Sequence, residues 1–140
     1  MEKYDSEHDT QMHIERVQSL MFEMLKRLKY SSWNHDRSKL EPPEKDIFDE
    51  WTLKLKGSTY GTEEYNKFLQ EMYVALEHHY ANNRHHPEHF KNGINGMTLI
   101  DLIEMVCDWK AATERHADGN LVKSLAINRG RFGISDQLSQ

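Results

Sequence analysis

Apolar residues recur every three or four positions along most of this chain, and no stretch alternates in the two-residue rhythm of a half-buried strand. Ile14, Val17, Met21, Met24, Leu25 and Leu28 form one such stripe, with Asp9 or Thr10 placed to cap it, which predicts a first helix over 10–29. His13 sits at the edge of that stripe. Tyr30 to Trp33 reads as a short connection leading to His35-Asp36. Pro42-Pro43 then starts a helix whose Ile47, Phe48, Trp51 and Leu55 face one way, ended by Gly57. A turn over 58–61 precedes Thr62, which can cap a long helix carrying Tyr65, Phe68, Leu69, Met72, Tyr73, Leu76 and Tyr80 on one face.

His79 continues that stripe and His78 falls at its margin, so periodicity sends His79 inward. From Asn82 to Gly96, Pro87 and two Asn-Gly pairs mark a long irregular loop, and loops of this length are often functional. Thr98 stands three residues before Asp101 in a capping-box arrangement, ahead of a helix to about residue 115 with Leu99, Leu102, Ile103, Val106 and Trp109 on its apolar face. Gly119-Asn120 breaks the chain again. A shorter helix is expected over 121–128, followed by an Arg129-Gly130-Arg131-Phe132-Gly133 loop and a polar tail. The expected fold is all-α, a compact helical bundle forming a single domain over 1–140.

Composition narrows the partners. The 140 residues include 18 lysines and arginines against 23 aspartates and glutamates, a net charge of −5, so broad attraction to a nucleic-acid backbone is not expected. Acidic residues interrupt the first thirty positions, leaving no signal-peptide core or membrane-spanning run and implying a soluble protein. Cys107 is the only cysteine, which excludes an internal disulfide and a multi-cysteine zinc site and suits a reducing cytoplasm. It falls towards the apolar face of its helix, the place of a buried small side chain rather than a nucleophile. Trp33, Trp51 and Trp109 suit either a core or an interface, so self-association stays open.

Histidine changes the picture most. There are nine, five of them between His78 and His89, and histidine is both the commonest neutral metal ligand and the side chain that titrates nearest physiological pH. The adjacent pair His35-Asp36 offers an imidazole and a carboxylate to one ion. A first-row metal needs three or four ligands from different elements, and His13, His35, Asp36 and Asp108 supply them if a bundle brings them together. The plainer readings are a half-buried helix histidine for His13, a solvated loop for the histidine cluster, and an exposed charged stripe for Asp101, Glu104, Asp108 and Arg115. That stripe argues from periodicity against Asp108 as a ligand, while Asp101 has its own explanation as a cap, which leaves Glu104 and Asp108 as the pair with a different part to play.

These residues together resemble the HD-domain metal-dependent phosphohydrolases, whose pattern is a histidine, a His-Asp doublet and a distant aspartate. His13, His35-Asp36 and Asp108 match it in order. Ser38-Lys39 looks like the small residue and lysine that follow the doublet, and Glu104 resembles the family's glutamate four residues before its last aspartate. His79, Asn83, His85-His86 and Asp108-Trp109-Lys110-Ala111 also look like a group of small uncharacterised proteins from bacteria and their phages. The doublet by itself is a weak signal, whereas the ordered set covers most of the chain.

The resemblance implies a helical core holding one divalent ion, commonly manganese, iron, cobalt, nickel, zinc or magnesium, on His13, His35, Asp36 and Asp108. It implies catalytic roles for Asp36, Lys39 and Glu104, with Lys39 neutralising a phosphate as a point charge unless it is a plain exposed lysine. Some members hold a second ion, for which His79 and His86 are the candidates here. Their spacing is shorter than in clear two-metal members, and His85 is an equally good ligand on sequence grounds. His85 and Arg131 are otherwise candidates to bind substrate, and a tuned histidine of the cluster could act as a general acid.

The activity so implied is a phosphomonoesterase or phosphodiesterase acting on a nucleotide or another small phosphorylated compound. Two alternatives from other classes use the same residues. One is a non-catalytic phage or bacterial interaction protein on an HD-like scaffold, and the other is a module that sequesters a nucleotide through Lys39, the arginines and the histidine loop.

Overall fold

The computed structural model describes residues 4–57, 63–115 and 119–139, with side chains at 55–57, 64–66 and 69 left aside. Its regular structure is helical, with no strand among the described residues, so the chain is all-α. It divides into two compact units, Met1–Asn34 and His35–Gln140. Among the described residues no helix is long and apolar enough to cross a membrane.

The first unit is one helix, α1, Glu7–Asn34. It begins earlier than the Asp9 or Thr10 cap and runs through Tyr30 to Trp33, the segment expected to be a connection. No proline or glycine stops it there, and its last turn is tied by Ser32 Oγ donating to the Lys29 carbonyl at 2.8 Å and Asn34 Nδ2 to the Tyr30 carbonyl at 2.8 Å.

The second unit opens with a 3-10 turn, Arg37–Leu40, and continues through α2 (Glu44–Gly57), α3 (Glu63–Glu71) and α4 (Tyr73–Asn82). The first turn and α4 both pack on α2. As expected, Pro42-Pro43 precedes α2 and Gly57 is its last residue. The turn over 58–61, the Thr62 cap and the Leu55, Tyr65 and Leu69 side chains lie outside the described residues. The single long helix expected after Thr62 is two, broken at Met72, although Met72 N–H still donates to the Phe68 carbonyl and Leu76 N–H to the Met72 carbonyl, both at 3.0 Å. Met72 is buried there, a consequence of packing that propensity does not encode.

The segment read as an irregular loop contains two further 3-10 turns, Pro87–His89 and Gly93–Gly96. Then come α5 (Leu99–Glu114) and α6 (Leu121–Phe132), packed together. The capping box at the start of α5 is present: Thr98 Oγ1 accepts from Asp101 N–H and Asp101 Oδ2 accepts from Thr98 N–H. Helix α6 extends past Asn128 through Arg129, Gly130, Arg131 and Phe132, correcting the expected loop. Its stop is Gly133, at φ 64°, where the left-handed cap suits a residue without a Cβ. Ile94, Met105 and Ile134 form the core between these elements, with Leu102, Trp109 and Phe132 against them and the Trp109 and Phe132 rings stacked at 6.1 Å. Cys107 is exposed, against the expectation of burial, because the core takes Met105 and Trp109 from its helix.

Candidate metal centre

Four segments of the second unit converge on one histidine-rich cluster. His35 and Asp36 lead into the first 3-10 turn. His79 comes from α4, His85 and His86 from the loop after it, and Glu104 and Asp108 from α5. The charged stripe of α5 therefore faces this cluster, with Glu104 and Asp108 one turn apart, and the reading of that stripe as a solvated face does not hold.

Asp36 is the centre of the arrangement. Its backbone is left-handed, φ 56° and ψ 13°, a conformation that aspartate tolerates better than most residues and that is enriched at functional sites. Its Oδ1 faces His79 Nε2 at 3.3 Å and His85 Nε2 at 3.5 Å, and His86 Nε2 lies 2.9 Å from His79 Nε2. Its Oδ2 faces His35 Nε2 at 3.5 Å, and Asp108 Oδ1 lies 3.6 Å from that nitrogen. Lys39 Nζ also donates to Oδ2, at 2.7 Å. The donor atoms thus form two groups sharing one carboxylate: Asp36, His79, His85 and His86 in one, and His35, Asp36 and Asp108 in the other, each within 4.8 Å. A third overlapping set, His35, His85 and Glu104, joins them.

The far sides of the rings are held by acid groups. Glu104 Oε1 lies 2.9 Å from His35 Nδ1 and 3.0 Å from His85 Nδ1. Glu44, at the start of α2, has no solvent exposure, and its two oxygens meet His78 Nδ1 at 2.7 Å and His79 Nδ1 at 2.9 Å. A carboxylate behind Nδ1 fixes the ring and leaves Nε2 to point at an ion, the usual support of a metal-bound histidine. The fit to an ion is further marked by atoms left over: Asp36 Oδ1 and both ring nitrogens of His85 are buried and have no partner in hydrogen-bonding geometry. The His85 side chain is 1% exposed.

Electrostatics follow from this crowding. Hydrogen bonds donated to the carboxylates of Asp108 and then Glu104 hold the His35 imidazolium and push its pKa up to about 10. Burial, and then the neighbouring His85 and His79 rings, push His86 down to about 3. Burial likewise lowers His79. Burial pulls Asp36 upward, but the Lys39 hydrogen bond and charge outweigh it and keep the carboxylate ionised. The His35 hydrogen bond is the largest cause lowering Asp108. Two carboxylates beside two unprotonated imidazoles make a donor set suited to a first-row divalent ion.

The residues expected from the sequence distribute unevenly. His35, Asp36, Asp108, His79, His85 and His86 come together, with Lys39 and Glu104 beside them. His79 points inward, its side chain 3% exposed, while His78 is 40% exposed, as periodicity indicates. The three donor groups are drawn from the second unit alone, whereas His13 lies on α1 in the first. Arg131, near the end of α6, is exposed and bonded to Glu88 Oε1 at 2.8 Å. Glu44 is the residue that sequence reasoning missed, since an acid in the first turn of a helix is ordinarily there for the helix dipole. The available signal was indirect: an inward His79 needs an acceptor behind it.

No curated protein and no solved structure matches this chain. A family match does cover residues 2–140, and on that extent the chain belongs to the family of unknown function DUF5662.

Proposed function

We propose that this protein is a metal-dependent phosphohydrolase of the HD-domain kind, using two divalent ions and acting on a nucleotide or another small phosphorylated compound. The observation that carries the reading is the division of Asp36: Oδ1 belongs to the His79, His85 and His86 group and Oδ2 to the His35 and Asp108 group. The first group offers four protein ligands and the second three, and a three-ligand site leaves room for water or substrate. Bound there, divalent ions polarise a phosphoryl oxygen and lower the pKa of water, which is the chemistry phosphoester hydrolysis needs near neutral pH.

The chain's own groups have distinct parts in this reading. Asp36 bridges the two donor sets. Glu104 bonds His35 from behind and stands against His85 Nδ1, a positioning role rather than one in contact with substrate. Lys39 is 40% exposed at its side chain and brings a mobile positive charge to the edge of the donor set, where a phosphate oxygen would sit. The order His13, His35-Asp36, Asp108 supplies the reaction class by its resemblance to HD-domain enzymes.

The test is elemental analysis of the purified and Mn2+-repleted chain, followed by phosphate release from nucleoside monophosphates and a generic phosphodiester. Two ions per chain with turnover support the proposal. Two ions with tight nucleotide binding and no turnover favour sequestration, and no metal after repletion overturns the site.

A further inference from the structure

We propose that Glu44 is a positioning residue for one ion alone, the ion of the Asp36, His79, His85 and His86 group, an inference that rests on the two-ion reading above. The carboxylate is fully enclosed and stands at the start of α2, where its backbone is fixed by the helix and by the Pro42-Pro43 pair before it. An isolated buried carboxylate is costly, so one retained there must be matched by donors.

Its donors are His78, His79 and Ser38. The two oxygens meet two ring nitrogens, Oε1 with His78 Nδ1 at 2.7 Å and Oε2 with His79 Nδ1 at 2.9 Å, and the Ser38 hydroxyl adds a third bond, so each oxygen accepts and the hydrogen between Glu44 Oε2 and His79 Nδ1 sits on the imidazole. Asn83 does not compete for it. Its Nδ2 also lies 3.0 Å from His79 Nδ1, but its two hydrogens go to Ser38 Oγ at 2.7 Å and the His79 carbonyl at 2.9 Å. His79 is thereby fixed with Nδ1 protonated and Nε2 bare, and Nε2 is the atom 3.3 Å from Asp36 Oδ1. Glu44 meets no ligand of the other group, whereas Glu104 touches one ligand of each.

The discriminating experiment titrates Mn2+ into the metal-free full chain by calorimetry, for the unaltered protein and Glu44→Gln. The glutamine keeps the size of the side chain but turns an N–H toward one of the two imidazoles. The unaltered chain should show two binding steps. Glu44→Gln should weaken one of them by about 10–100-fold and leave the other unchanged, the usual range for removing a group behind a metal ligand.

Equal weakening of both steps, or no change in either, overturns the role assigned to Glu44. A single step in the unaltered chain instead overturns the two-ion reading on which it rests. Nitrogen-15 NMR of the histidine rings checks the assignment without any variant: His79 should be the Nδ1–H tautomer with and without Mn2+, and an Nε2–H tautomer refutes it.

Discussion

His35 and Glu104 are 69 residues apart in the chain and meet at 2.9 Å, Nδ1 to Oε1. The same Glu104 oxygen lies 3.0 Å from His85 Nδ1, outside hydrogen-bonding geometry, so one carboxylate on α5 bonds a ring of one donor group and stands against a ring of the other. Glu104→Gln is therefore expected to weaken both Mn2+ binding steps, each by about 10–100-fold. Calorimetry beside Glu44→Gln checks this. A loss confined to one step contradicts the shared role.

Asp36 should be the least replaceable residue of the site. Asp36→Ala removes the only carboxylate common to the two main donor groups and leaves Lys39 without its partner on Oδ2. The expected outcome is loss of stoichiometric metal with the helical circular dichroism retained, because no packed apolar group is lost. Full metal occupancy in this variant would refute the assignment of the doublet.

The metal-free protein should be most stable near pH 6.5. His35 is raised to about 10 by its bonds to Asp108 and Glu104, so its contribution is complete below the ordinary value of 6.5 and is lost as pH climbs toward 10. His86 acts in the opposite window. Held down to about 3 by burial and by the His85 and His79 rings, it stays neutral while the unfolded chain takes up a proton, so stability falls as pH drops from 6.5 toward 3. Thermal denaturation in chelator across pH 5 to 9 should show a maximum, and a monotonic profile would contradict it. Added Mn2+ should abolish the alkaline decline, since binding requires His35 without its proton.

Asp101 separates structure from chemistry on the same helix. It is buried, caps α5 through Thr98 and accepts two bonds from Arg84, at 3.0 Å each. Asp101→Ala should cost about 2 kcal/mol of stability in urea unfolding, from the lost cap and the broken pair. Its metal stoichiometry at low temperature should match the unaltered chain. A loss of metal in the folded variant would place Asp101 in the site.

The helical class is legible in the residue order alone, because a 3.6-residue apolar rhythm is a local property. So are the start of α5, through the Thr98 and Asp101 pair, and the inward direction of His79, through its place on the α4 stripe. The His35-Asp36 doublet announced itself for the same reason, two ligand types side by side. Periodicity gives the angle between two faces of a helix, however, and not which face meets what. So the cap at Asp101 sets Glu104 and Asp108 apart within their charged stripe, but what they meet is decided only when the loop carrying His85 and His86 is brought against them. The break at Met72 coincides with its burial, and α6 continues through Gly130 and Arg131 to Phe132, whose ring stacks on Trp109, contacts that local propensity does not encode. Glu44 was beyond reach for the same cause: its role depends on burial against His78 and His79, 34 and 35 residues away, and only the tertiary structure makes that meeting.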